Sequence, residues 1–146
     1  MDVTLHSIWI TYLQHSDQFW ALTLEHFLVL VVYPILLATI VAIPLGILAT
    51  RWRFIQVSSL AFANLMQTIP SLALLAILIA IGFGIGNKPA IIAIFLYSLL
   101  PILRNTYTGI KNIDRGLLEA AAGMGMTKRQ TLFMVELPLS LSIIMA

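Results

Sequence analysis

The chain has 146 residues, 60% of them hydrophobic and 10% charged, with eight Lys and Arg against six Asp and Glu and no cysteine. A soluble domain carries about 25% charged residues, so this chain has too little polar side chain to cover a water-facing surface, and a soluble enzyme is all but excluded. A formal charge of +2 is too small and too scattered for the basic patch that nucleic acid requires. Without cysteine there are no disulfides, thiolates or Cys-based zinc sites. The three histidines, His6, His15 and His26, show no ligand spacing, so neither a metal nor a cofactor is expected. A membrane protein, with lipid as its solvent, is the class that remains.

Residues 1–26 lack the basic start and compact apolar core of a secretory signal. Trp9, Tyr12, Phe19 and Trp20, mixed with Gln14, His15 and Asp17, fit an aromatic-belt segment on the outer surface. Crossing a hydrocarbon core of about 30 Å takes roughly 20 helical residues. Phe27 to Thr50 is uncharged for 24 residues and ends at Arg51 and Arg53, which makes a first span. Phe54 to Asn87 is uncharged for 34 residues, too many for one straight span and too few for two with a turn. Its first half holds Gln56, Ser58, Ser59, Asn64, Gln67 and Thr68, whereas Ser71 to Ile81 is almost wholly aliphatic. One crossing follows, entered through a polar half and broken near Pro70. Pro89 to Leu103 is uncharged for 15 residues, and because Arg104 can snorkel this third helix is expected to reach about Thr108.

Lys and Arg gather on the cytoplasmic side of membrane spans. A single crossing in the middle stretch puts Arg51, Arg53, Arg104, Lys111, Arg115, Lys128 and Arg129 on one side and Lys88 on the other, seven to one. Two crossings would give three against five with the bias reversed. The single crossing therefore places the amino terminus outside and residues 104–129 in the cytoplasm. Prolines at 34, 44, 70, 101 and 138 kink the spans. Such kinks are tolerated where the backbone faces protein or a water-filled cavity, which makes Gln67, Thr68, Pro70 and Ser71 the candidate pathway-lining break. Gly82 and Gly86 form a GxxxG pair, expected to serve close helix contact. Tyr97, Tyr107 and Arg104 read as packing and interface anchors.

The cytoplasmic loop carries the most specific signal. Asp114 is placed to cap a short helix in which Leu117, Leu118, Ala121 and Ala122 recur at helical spacing, and Gly123 and Gly125 end it. A helix this short is marginal alone, so it should dock on a partner. Thr127 followed by Gln130 has the capping-box pattern of a last helix, which contains Glu136, expected to pair with Arg129 or Arg104. Ala146 falls inside that helix with no polar tail, so the chain is expected to be truncated at its carboxyl terminus.

Glu119, Ala120 and Ala121, then Gly125 after three residues, then Val135, Leu137 and Pro138 after nine more, resemble the EAA loop of ATP-binding-cassette importer permeases. Residues 67–72 (QTIPSL), 97–113 and 123–126 (GMGM) are similar to the glycine betaine, carnitine and choline branch of that family. The resemblance implies an all-α integral membrane protein of the type I importer permease kind, with an incomplete transmembrane domain over 27–146 and a coupling loop over 112–128. It implies three protein partners besides membrane lipid: a cytoplasmic ATPase subunit, a second permease, identical or related, and an extracytoplasmic solute-binding protein. The chain itself would then be no enzyme. In the family the loop helix sits in a cleft of the ATPase, so Leu117, Leu118, Glu119, Ala120, Ala121, Gly125, Leu137 and Pro138 become the coupling residues, with Glu119 the polar contact. An ion-coupled secondary transporter would call for membrane carboxylates, and the first three spans have none. A non-transporting assembly subunit is the other alternative. An intramembrane hydrolase would need a facing nucleophile and base, which no span offers.

Overall fold

The computed structural model describes Ile10, Tyr12, Leu13 and residues 15–145. The readings of His6, Trp9, Gln14 and Ala146 lie outside the described residues. Among the described residues the chain is helical, with no strand.

Helix α1 runs over Ser16–Arg51, 36 residues without interruption. At 1.5 Å per residue it is about 54 Å long, well beyond a hydrocarbon core of about 30 Å. The first span expected at Phe27 to Thr50 lies within it, and residues 16–26 form its opening turns. Those turns bury no residue and expose Phe19, Trp20, Leu22 and Leu24.

Pro34 lacks an N–H, and its ring crowds the carbonyl four residues back. The helix responds by widening. Residues Leu28–Val32 form a π turn in which the Tyr33 N–H donates to the Leu28 carbonyl, five residues back. A second wide turn stands at the same distance before Pro138, over Leu132–Glu136, where the Leu137 N–H donates to the Leu132 carbonyl.

Trp52, in extended conformation, separates α1 from α2 (Arg53–Thr68). The inward face of α2 carries Ile55, Ser59, Leu60, Ala63 and Met66, at helical spacing, while Phe54, Val57, Phe62 and Leu65 are exposed. Ile69, the residue before proline, is extended, as steric clash with the proline ring demands. There the chain turns through 96° into α3 (Ser71–Phe83). The break expected near Pro70 is thus present as a right angle. By length and composition α1 and α4 are each long and apolar enough to cross a membrane, and the bent pair α2 and α3 can make a third span.

Gly82, Gly84 and Gly86 adopt φ of +107°, +74° and +138°, and a Cβ on any of them would meet nothing within 4 Å. They unwind the end of α3 and reverse the chain into α4 (Asn87–Lys111). The close-contact role expected of Gly82 and Gly86 is therefore corrected: their spacing serves a turn that side chains with a Cβ resist.

Close contact lies elsewhere. On α1 the buried residues are Pro34, Ala38, Ala42, Gly46 and Ala49, a seam of small side chains that lets α4 approach. Opposite it on α4 are Leu99, Leu103, Thr106 and Ile110. The Thr106 hydroxyl donates to the Ile102 carbonyl at 2.7 Å, which leaves its methyl against Gly46. A Cβ on Gly46 would stand 2.7 Å from the Thr106 Cβ and 3.1 Å from the Leu103 carbonyl oxygen. Two apolar clusters complete the core. Ala42, Ala63, Leu99, Leu100 and Leu103 join α1, α2 and α4, while Leu74, Leu78 and Ala93 join α3 to α4. Helix α5 (Arg115–Gly123) follows, then α6 over 128–144, whose last part packs on α4.

Replacing Gly46 by leucine overfills this seam and should cost about 1–3 kcal/mol, read as a lower melting temperature of the detergent-solubilised protein. Gly123→Ala, at a helical position with nothing within 4 Å, should leave the melt unchanged or raise it slightly.

Candidate coupling loop and membrane break

The loop over 112–128 is built from caps. The Asp114 carboxylate accepts the Gly116 N–H at 2.7 Å and starts α5. At the other end the Met126 N–H donates to the Ala121 carbonyl at 3.1 Å and the Gly125 N–H to the Ala122 carbonyl at 2.9 Å. This is a Schellman closure, and it needs the left-handed residue that Gly125 supplies at φ +77°. Two residues on, Thr127 and Gln130 form the expected capping box. The Thr127 N–H donates to the Gln130 side-chain oxygen at 2.8 Å, and the Gln130 N–H to the Thr127 hydroxyl at 3.3 Å. Helices α5 and α6 therefore meet in a short turn with both ends fixed.

The residues expected to couple divide by exposure. Ala121 is 1% exposed, facing its own chain, and Leu118 is half-buried. Leu117, Glu119, Ala120 and Met124 are exposed, Leu117 at 49% and Met124 at 75%. Leu117, Ala120 and Met124, at i, i+3 and i+7, share one helix face. Gly125 is exposed, and a Cβ there would touch nothing within 4 Å, so it acts through backbone conformation. Leu137 and Pro138 stand apart from this face on α6, directly after the second wide turn.

That wide turn holds Glu136, 4% exposed. Its carboxylate oxygen lies 2.6 Å from the Arg51 guanidinium nitrogen at the end of α1. The pairing expected with Arg129 or Arg104 is thus corrected to Arg51. The wide turn and the packing of α6 on α4 set the direction of the Glu136 side chain, and neither is visible in local spacing.

At the membrane break the Tyr97 hydroxyl donates to the Ile69 carbonyl, and the Gln67 amide donates to the Tyr97 carbonyl at 3.1 Å. A carbonyl freed by a helix break in lipid needs such a donor. Thr68 donates to the Leu65 carbonyl of its own helix at 2.7 Å, and Pro70 and Ser71 are exposed. An open groove of about 530 Å³ lies between α1, α2 and α4, lined by Val41, Phe62, Phe95 and Leu99 among others, and Gln67, Thr68, Pro70 and Ser71 are not in its lining. Its serines, Ser58 and Ser59, turn their hydroxyls back to the Phe54 and Ile55 carbonyls, so the groove presents an apolar wall. Among the described residues no group of three His, Cys, Asp or Glu is placed to hold a metal ion.

Residues 42–146 match the family described as "Binding-protein-dependent transport system inner membrane component". The chain belongs to this family. It is 48% identical over 130 residues to the carnitine transport permease protein OpuCD of Listeria monocytogenes, covering 89% of this chain and 56% of that protein. It is 55% identical over 122 residues to the glycine betaine/carnitine/choline transport system permease protein OpuCD of Bacillus subtilis, covering 84% and 52%. It is 44% identical over 136 residues to the osmoprotectant import permease protein OsmW of Salmonella typhimurium, covering 90% and 63%. The chain thus spans about half to three-fifths of the length of these relatives. Family membership agrees with the all-α membrane bundle of a type I importer permease.

Sequence reasoning missed three features: Arg51 as the partner of Glu136, Tyr97 as the pin of the break, and the seam at Gly46. The first two join residues 85 and 28 positions apart, and no local pattern announces such contacts. The four-residue spacing of Ala38, Ala42 and Gly46 could have announced the third.

Substitution at Gly125 separates conformation from volume. Gly125→Val should cost the α5 turn about 1–2 kcal/mol, the penalty of a left-handed residue with a Cβ, and asparagine, which tolerates that region, should cost less. Amide exchange at Met126, whose N–H closes the turn, is expected to accelerate in the order glycine, asparagine, valine.

Proposed function

We propose that the chain is the permease subunit of an ATP-driven importer for a quaternary-ammonium osmoprotectant such as glycine betaine, carnitine or choline. The observation that carries this reading is the capped α5 turn. Glu119, Ala120 and Ala121 of the EAA signature lie on a short helix whose Leu117, Ala120 and Met124 face is exposed and apolar beside Glu119. An isolated helix of nine residues gains little from propensity alone, so a partner that covers this face accounts for both its shape and its exposure. In this reading the partner is a cytoplasmic ATPase subunit, with Glu119 as the polar contact at the rim. The seven-to-one distribution of Lys and Arg supports an external amino terminus and a cytoplasmic loop.

A second permease, identical or related, completes the pathway, and an extracytoplasmic binding protein delivers the solute. The relatives' names support the solute class. A quaternary ammonium is held over several aromatic faces, a task this reading gives to the binding protein. The Glu136 carboxylate is engaged by Arg51, which gives an ion-coupled carrier no added support.

The test is uptake into proteoliposomes by the full complex. Uptake is expected to require both ATP and the binding protein. Met124→Asp, which places a charge in the docking face, should weaken retention of the ATPase roughly tenfold, the scale of one interface hot spot, while the permease still inserts. Uptake driven by an ion gradient alone, or an unchanged ATPase affinity in Met124→Asp, would contradict the proposal.

A further inference from the structure

The loop turn and the membrane bundle are joined by a contact that packing alone does not require. Helix α6 begins at the capping box of Thr127 and Gln130, passes through the wide turn at Leu132–Glu136, and rests on α4 where Ser140 meets Gly109. A Cβ on Gly109 would stand 3.0 Å from that of Ser140. Between these points Glu136 reaches across to Arg51, the last residue of α1, at 2.6 Å. Arg51 in turn ends the helix that lies against α4 along the small-residue seam. A displacement of α5 therefore has a continuous path through two fixed caps and one ion pair into the first span.

We infer that the Arg51–Glu136 pair is a positioning strut that carries movement of the 112–128 turn into the first span. This rests on the importer reading above and assigns that reading its transmission element. Two observations favour a directional role over a stabilising one. First, an ion pair whose carboxylate is buried adds little net stability, because desolvation of that carboxylate offsets the attraction, and an apolar pair of similar volume would hold the helices as well. What a charge pair fixes is register. Second, the pair is unequal: the Glu136 side chain is 5% exposed and that of Arg51 47%. Removing Arg51 strands a buried carboxylate, whereas removing the Glu136 charge leaves Arg51 free to reach water. A purely structural pair would thus be sensitive at Arg51 and tolerant at Glu136. A strut fails from either end.

The importer is reconstituted with its ATPase and binding protein, and ATP hydrolysed per solute taken up is measured beside the melting temperature of the complex. Glu136→Gln should melt close to wild type and keep its ATPase, yet raise the ATP used per solute roughly tenfold, within the usual range of coupling between sites. Arg51→Glu combined with Glu136→Arg should recover most of the wild-type ratio. The strut is overturned if Glu136→Gln keeps the wild-type ratio, or if the exchanged pair assembles with the ATPase and still wastes ATP. Should the exchanged pair fail to assemble, the Glu136→Gln ratio decides alone. Wild-type complex without ATP-driven uptake would instead overturn the importer reading itself, a result that the Glu136→Gln comparison cannot mimic.

Discussion

The close approach of α1 to α4 at Gly46 and Thr106 sets the spacing on which the other helix contacts depend. In lipid, helices gain little from hiding apolar side chains, since the surrounding chains are as apolar as leucine, and close packing has to supply the attraction. Small residues permit it. Ala38, Ala42, Gly46 and Ala49 are all buried on one face of α1, so α4 comes close there, and a Cβ on Gly46 would stand 3.1 Å from the Leu103 carbonyl oxygen. Gly109 repeats the device where α6 crosses α4. One central helix thereby holds two others at short range, and the ion pair of Arg51 with Glu136 closes the triangle.

Proline shapes the remaining contacts, with different outcomes at different places. Pro34 and Pro138 each follow a wide turn, because a helix missing one N–H can be continued by bonding five residues back. Pro70 breaks its helix instead. The residue before it is forced extended, and the freed Ile69 carbonyl finds the Tyr97 hydroxyl. Among the described residues no buried side-chain nitrogen or oxygen lacks a partner, as an apolar surrounding requires.

Much of this was legible in the residues. Counting uncharged lengths located the long apolar helices, the polar half before Pro70 located the break, and the cap residues Asp114, Thr127 and Gln130 located the ends of the loop helices. All three are local effects, in which the physical cause lies within a few residues of its signal. The failures have a common source too. Glycines four apart serve either a helix contact or a chain reversal, and only the positive φ of Gly82 and Gly86 distinguishes them. Glu136 has several basic residues within reach in sequence, and its partner is decided by how α6 lies on the bundle. Counting charge-free length also hid the seam, since it weighs alanine and leucine alike. The family signature was legible as spacing, but its meaning was not uniform: Gly125 shapes the turn, Ala121 packs inward, and Leu137 and Pro138 directly follow the wide turn that carries Glu136.

The inferred strut requires that α1, α4 and α6 move as one body from the loop at its foot. The chain has no cysteine of its own, so a paired substitution, Gly109→Cys with Ser140→Cys, reports this contact without background. The 3.0 Å between the two Cβ positions needs only a small shift to reach the roughly 3.5–4.5 Å of a disulfide. Oxidation in native membranes should bridge the pair quickly, and on the proposed function the bridged, assembled complex should go on transporting. Absence of the bridge, or transport that stops on bridging and returns on reduction, would contradict the account.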